Sequence, residues 1–343
     1  MKKWMRRVII ILLLFLNIGV KVKADEGLFI QADSFVLMEK NSKRVLCEKN
    51  MNNRYLTASI VKIMTALVAI ENIEDLEKYV TVELDTTSQT GSSIYLKEGD
   101  KIKIIDLLYG MLLRSGNDAA YLIAKSTFND VDRFVYEMNQ TAKKIGMSSS
   151  TFNNPTGLDE DTCNYSTAYD MALLMSYALN NKIFAKIIAK KSYTSKTYNG
   201  DLLHFVNKHK LVSSEDYITG GKTGYTKRAK RTLVTSAKKG NMELVAVTFN
   251  CGDDWNAHKK LFEYGYNNFE IKTVLKRQII DIDDQYYQVT PYLPKDLKYP
   301  IKGNEEVKCK IYLIKNPREK IIGKAVLIIN GVEMFSSEIY RYY

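Results

Sequence analysis

Between Leu28 and Asn50 the chain reads as short alternating runs, Phe29-Ile30, Phe35-Val36-Leu37-Met38 and Arg44-Val45-Leu46-Cys47. The polar stretch Glu39-Lys40-Asn41-Ser42-Lys43 separates the last two, which predicts a hairpin. From Ser59 through Ile70 (Ser59-Ile60-Val61-Lys62-Ile63-Met64-Thr65-Ala66-Leu67-Val68-Ala69-Ile70) the texture changes. This run is apolar nearly all round and holds no Pro or Gly, the pattern of a helix buried inside a domain. Further helices are expected over Ile104 to Leu113, Asp118 to Lys125, Val131 to Ile145, Ser166 to Leu179 and His258 to Tyr264. Arg231 to Ser236 and Glu243 to Asn250 read as strands joined by a Lys239-Gly240-Asn241 turn. Strands at both ends with helices between them imply an α+β fold whose sheet is completed when the chain returns.

After about Glu270 the pattern becomes β-branched and aromatic runs broken by turns. Gln278 to Ile282, Val307 to Ile314 and Gly323 to Ile329 are the clearest, and Phe335 to Tyr343 reads as a last strand. This suggests a small all-β unit over 271–343, following a larger unit over 25–270. The first residues differ in kind. Lys2, Lys3, Arg6 and Arg7 precede the apolar run Val8 to Leu16, and Val22-Lys23-Ala24 offers small residues for a signal peptidase. A signal peptide over 1–24, cleaved after Ala24, is therefore expected. An uncleaved anchor is the alternative, but the run is shorter than the ~20 residues of a bilayer span.

A length of 343 residues suits two domains, and 45% hydrophobic with 26% charged residues is ordinary for globular chains. The formal net charge is +11; residues 1–24 hold six basic groups and no acidic one, so the remainder carries +11 − 6 = +5. That mild basicity suits an anionic wall polymer or a lipid surface. Nothing interleaves basic and aromatic residues as a nucleic-acid site would, and export argues against that partner. Cys47, Cys163, Cys251 and Cys309 are scattered and do not cluster with His204, His209 and His258. No metal and no cofactor are expected, and the thiols are read as packed or unpaired.

Candidate chemistry begins with Ser59 and Lys62. At a helix start this spacing sets both side chains on one face, and a lysine kept neutral by burial can take a serine proton. SxxK alone is weak, because Ser236-Ala237-Lys238-Lys239 matches it too, at a strand end where nothing would desolvate the lysine. Alone, the pattern would more often mark a helix cap and a solvated lysine. Two further elements change the weighting. Ser115-Gly116-Asn117 falls between two expected helices, and Lys222-Thr223-Gly224 precedes a strand-like run. An acyl-transfer site needs a nucleophile, a proton relay, a cationic wall for a substrate carboxylate and N–H donors for an oxyanion. Ser59, Lys62, Ser115 and Asn117 can supply the first two. Lys222 and Thr223 can supply the third, and Gly224 lets its strand approach a ligand closely.

SxxK, SxN and KTG in this order mark the penicillin-binding proteins and class A β-lactamases. Gly91 to Asp100, Leu112 to Ala120, Asn154-Pro155-Thr156-Gly157-Leu158-Asp159 and Lys222 to Thr226 follow in the same order as the matching segments of the low-molecular-mass D,D-carboxypeptidases. The chain resembles that family from about Leu28 to Glu270, and more weakly in its tail. The resemblance implies a β-lactamase/transpeptidase-like catalytic domain, an antiparallel sheet with helices on both sides, followed by a small all-β domain. It implies Ser59 acylation by the D-Ala-D-Ala end of a peptidoglycan stem peptide, Lys62 as base, and water hydrolysing the acyl-enzyme. Lys222, Thr223, Gly224 and Tyr225 would bind substrate, with the backbone N–H groups of Ser59 and Tyr225 as oxyanion hole. β-Lactams would be covalent inhibitors, and the substrate would lie along the strand carrying Lys222.

Three departures stand out. Many relatives have an arginine just before the last catalytic-domain helix, and Asp253-Asp254-Trp255-Asn256-Ala257-His258 has none. Lys230 stands where glycine is common, as a rim residue or a solvated turn residue. The end of the chain lacks the amphipathic membrane-binding helix of many relatives, which leaves the exported enzyme free or loosely attached to a membrane surface. A β-lactamase is one alternative, but no ExxLN element lies between Asn154 and Asp170. An inactive wall-binding protein on the same scaffold is another, and it would be expected to lack a motif residue.

Overall fold

The computed structural model describes residues 28–281, 289–314 and 319–343. The expected signal peptide, and Ile282 at the end of one expected strand, lie outside the described residues. The main sheet has five antiparallel strands: β1 (Ser34–Glu39), β2 (Val45–Lys49), β3 (Ile218–Thr226), β4 (Lys230–Lys239) and β5 (Met242–Phe249), in the order β2-β1-β5-β4-β3. The expected hairpin and the return of the chain are both present, since β1 pairs with β2 and with β5.

β1 is buried along its whole length instead of alternating, and this has a physical cause. Alternate residues of a strand face opposite sides, and both sides of this sheet are covered. Val36 and Met38 of β1, with Val245 and Val247 of β5, enter a core formed with helices α1 (Lys62–Asn72), α2 (Ile104–Tyr109), α3 (Asn117–Phe128), α4 (Val131–Ile145) and α5 (Ala168–Ala178). Phe35, Leu37, Leu244 and Ala246 enter a second core with Leu261 and Phe262 of α6 (Asp254–Asn268). β3 is an edge, with β4 as its one neighbour in the sheet.

Two expected helices are interrupted where function will matter. The run from Ser59 begins as a 3-10 turn over Ala58–Val61 and becomes α-helical at Lys62. Ile104 to Leu113 divides into α2 and a wide π turn over Gly110–Arg114, which ends with Ser115 in the left-handed region at φ 66°. Gly110 permits this tight passage, because a β-carbon there would stand 2.8 Å from Ile94 Cδ1. The helix expected over His258 to Tyr264 is the middle of the longer α6. A short helix over Lys182–Ile188 and a hairpin of Ser192–Lys196 with Leu202–Val206 were not anticipated.

Beyond α6 the chain continues through β6 (Phe269–Leu275), β7 (Gln278–Ile279), β8 (Pro291–Leu293), β9 (Leu297–Lys302), β10 (Val307–Leu313), β11 (Ile321–Ile329) and β12 (Val332–Arg341). β6 pairs with β9, and the other five form a sheet in the order β7-β8-β12-β11-β10. Leu293, Leu297, Tyr299, Ile301, Ile322, Leu327 and Ile339 make a third core beneath it. Arg44 ties this unit to the first: it donates to the Pro300 carbonyl and forks onto Glu305, with one bond of 2.9 Å, between the rings of Phe269 and Tyr299. The four cysteines are free thiols, Cys47 and Cys251 buried. Among the described residues no helix is long and apolar enough to cross a membrane.

Candidate active site

Ser59 sits in the 3-10 turn, and its position depends on two glycines from distant segments. Ala58 just before it has a positive φ of 46°. Gly157, at φ +87°, presses so close that a β-carbon would lie 2.1 Å from the Ala58 carbonyl oxygen. Gly224 of β3 approaches from the other side, where a β-carbon would lie 3.0 Å from the Ser59 nitrogen and 2.3 Å from Thr232 Oγ1. Thr232 Oγ1 in turn donates to the Thr57 carbonyl at 3.0 Å. The loop bearing Gly157 is fixed from within, because Asn154 Oδ1 accepts from the backbone N–H groups of Thr156 (3.1 Å) and Gly157 (2.7 Å).

Lys62 is fully buried one 3-10 turn after Ser59, and residues i and i+3 eclipse in that geometry. Its Nζ lies 3.2 Å from Ser59 Oγ, donates to Asn117 Oδ1 at 2.7 Å and also donates to the Thr156 carbonyl. Burial lowers its pKa to about 7, helped by the charge of Lys208 and opposed by Asp118. Asn117 opens α3 and donates through Nδ2 to the Thr90 carbonyl at 2.6 Å. Asp118 next to it accepts from Ser93 Oγ (2.6 Å) and from the backbone N–H groups of Ile94 (3.1 Å) and Leu96 (3.2 Å), which orders the segment facing the site.

A second pair joins the SxN and KTG elements. Lys222 Nζ, also buried, donates to Ser115 Oγ at 3.0 Å and to the Thr223 carbonyl at 2.8 Å. Its pKa falls well below the usual lysine value through burial first, then through Lys62 and Lys208. Thus Ser59, Lys62, Ser115, Asn117 and Lys222 are brought together from three separate stretches of chain. Thr223 and Gly224 lie on the strand edge beside Ser59. The Tyr225 side chain is 63% exposed, so what it offers the site is its backbone.

Lys208 is a residue that sequence reasoning missed. It donates through Nζ to Ser92 Oγ at 3.1 Å, and its own pKa is lowered by burial and by Arg114. It belongs to no motif and to no periodic run, so nothing short of the tertiary structure marks it as a third lysine of the site. Lys230 adopts φ 58° and is exposed at the start of β4, which is why glycine suits that position and why the turn-residue reading holds. In the segment without arginine, Asp254 is held by Arg231 of β4 through bonds of 3.0 and 2.7 Å. The second SxxK, at Ser236, is unlike the first: Ser236 Oγ pairs with Thr219 Oγ1 at 2.8 Å, and Lys239 extends over the rings of Tyr217 and Tyr266.

Behind β3 lies a buried polar chain. His209 Nε2 and His258 Nδ1 meet Thr235 Oγ1 at 2.9 and 2.7 Å, and His258 Nε2 meets Thr248 Oγ1 at 3.0 Å. Burial lowers the His209 pKa to about 3, reinforced by Lys222. Gly221 is required here, since a β-carbon would stand 2.3 Å from His209 Nε2.

A family model described as D-alanyl-D-alanine carboxypeptidase matches residues 20–252. The D-alanyl-D-alanine carboxypeptidase DacF of Bacillus subtilis is 33% identical over 262 residues, which cover 74% of this chain and 67% of that protein. Penicillin binding protein 5 from Haemophilus influenzae superposes with a TM-score of 0.80 at 26% identity, over 93% of this chain and 98% of that one. The D-alanyl-D-alanine carboxypeptidase DacD from Francisella tularensis shares the fold at a TM-score of 0.73 and 22% identity, over 96% of this chain and 98% of that one.

Proposed function

This chain belongs to the D-alanyl-D-alanine carboxypeptidase family of serine hydrolases, and on that premise we propose that Ser59 is its nucleophile and Lys62 its general base. The observation that carries the assignment is the environment of Lys62 Nζ. A neutral amine has two N–H groups and one lone pair. With the N–H groups spent on Asn117 Oδ1 and the Thr156 carbonyl, the lone pair is left for the Ser59 hydroxyl. A pKa of about 7 keeps a large fraction of the amine in that form near neutral pH.

In the proposed reaction Ser59 Oγ bonds to the carbonyl carbon of the penultimate D-Ala while its proton passes to Lys62. The peptide C–N bond then breaks, and the departing terminal D-Ala takes a proton at its amine, delivered through Lys62 or the Ser115–Lys222 pair. Water repeats the sequence on the acyl-enzyme, adding to the ester carbon and releasing Ser59. The backbone N–H groups of Ser59 and Tyr225 stabilise the oxyanion, a reading supported by the close approach of Gly224 to the Ser59 nitrogen. Lys222 and Thr223, with Lys208 nearby, make a cationic wall for the substrate carboxylate. The free edge of β3 supports binding of the stem peptide as an added strand.

The family acts on the cell wall, outside the cytoplasm, and residues 1–24 are proposed as the exporting signal peptide. The chain would then be free or loosely held at the membrane surface. A fluorescent penicillin should label the wild type and not Ser59→Ala, and a soluble pentapeptide should lose one D-Ala. Failure of the wild type to label would overturn the assignment.

A further inference from the structure

Two grooves, of ≈740 and ≈630 Å³, lie on the C-terminal sheet and share Ser336 and Glu338. Strand register lays out the face they follow. In one rung Tyr292 of β8 pairs with Tyr340 of β12, which pairs with Ile321 of β11. In the next, Glu338 of β12 pairs with Lys324 of β11, which pairs with Tyr312 of β10. Ile322, Ala325, Leu327, Ile329 and Ile339 supply the opposite face, buried in the core. These tyrosines are therefore not needed to build the hydrophobic core of this unit.

The rings are held in place. Tyr340 Oη donates to Glu338 Oε2 at 2.5 Å, and Arg277 Nε donates to Tyr292 Oη at 2.6 Å. The Tyr342 ring meets that of Tyr292 at 5.5 Å, and Lys324 Nζ lies 5.6 Å over the Tyr312 ring. Lys295, Lys320, Lys324 and Arg341 line the grooves against the single carboxylate of Glu338. With ~4.8 Å between neighbouring strands, the walk from Tyr292 to Tyr312 crosses three gaps, about 14 Å, long enough for an oligosaccharide.

We propose that this face binds carboxylate-bearing glycan strands, the saccharide part of the polymer whose stem peptides Ser59 is proposed to trim; the choice of polymer rests on that reading. A pyranose ring has an apolar C–H face and a polar rim. Tyrosine matches both, with a flat ring to stack and a hydroxyl to hydrogen-bond. The excess of lysine and arginine is complementary to the carboxylates of the strand. A lipid surface would call for protruding aliphatic and aromatic side chains around the basic ones. On this face the exposed aliphatics are isolated at its margins, Ile279 beside Tyr292 on one side and Ile314 and Ile321 on the other, with tyrosines and basic side chains between them.

The test uses the full chain in a Ser59→Ala background and glycan strands stripped enzymatically of their peptides, so that the catalytic site has no ligand. The parent should co-sediment with the strands. Tyr312→Ala and Lys324→Glu, both at solvent-facing positions, should together weaken binding at least about tenfold. Tyr340→Phe, which keeps the ring, should bind within a few-fold of the parent. With Ser59 restored, the paired substitution should leave penicillin labelling and D-Ala release from a soluble pentapeptide unchanged. Absence of binding by the parent, equal binding by the paired variant, or retention on phosphatidylglycerol vesicles in place of glycan would each overturn the proposal. D-Ala release from the soluble peptide tests the catalytic reading separately, so either can fail without the other.

Discussion

Gly157 lies against the backbone of Ala58 so closely that any β-carbon would stand 2.1 Å from the Ala58 carbonyl oxygen. The turn that presents Ser59 is therefore shaped by a loop nearly a hundred residues further along the chain. Thr156 of the same loop accepts from Lys62. One short segment thus positions both the proposed nucleophile and its base.

Gly157→Ala should consequently abolish penicillin acylation and destabilise the fold by about 2–4 kcal/mol, from left-handed strain plus the forced displacement. Gly146→Ala is the matched control. Gly146 has φ +90° with nothing within 4 Å of its missing β-carbon, so it should lose only about 1–2 kcal/mol and acylate normally. Urea midpoints and labelling rates of the two variants measure the difference.

The acylation rate should follow the unprotonated fraction of Lys62, climbing about tenfold per pH unit below its pKa of about 7 and levelling above it. Lys208→Met removes a positive charge that lowers this pKa. The midpoint of the profile should move to higher pH, and Lys208→Arg should bring it back. An unmoved midpoint would show that Lys208 acts only through Ser92. Stability has its own sign: between about 7 and the ordinary lysine value the unfolded chain binds more protons at this position, so stability rises with pH there.

Arg44 and Glu305 join the two units with side chains only 7% and 11% exposed. Arg44→Met leaves Glu305 buried without its partner and should cost about 3–5 kcal/mol. The loss falls on the contact between the units, so calorimetry should show the single transition broadening or splitting while Ser59 still labels.

His209 remains neutral in the folded chain down to about pH 3, whereas unfolded histidine takes up a proton near 6.5. In that window the unfolded state binds more protons, so stability falls as the pH drops. His209→Gln should flatten the dependence of the urea midpoint between pH 7 and pH 4. An equal slope in both proteins would assign the acid sensitivity to other groups.

Sequence alone determined the α+β character, the hairpin at β1 and β2, α4 with its full extent, and five of the residues that meet at the site. Those features depend on local periodicity or on residue types at fixed short spacing, and both are written along the chain. It also showed that no arginine stands before α6, and the structure adds that Asp254 at this place is bound to Arg231 of β4. Only the tertiary structure decided that Ser59 occupies a 3-10 turn, that Ser115 closes a π turn in the left-handed region, and that Lys208 is a third lysine near the site. Each depends on contact between segments far apart in sequence, where the close approach of Gly110, Gly157 and Gly224 overrides the helix that local pattern predicts. The same holds for the proton affinity of Lys62, because desolvation belongs to the fold and not to the motif.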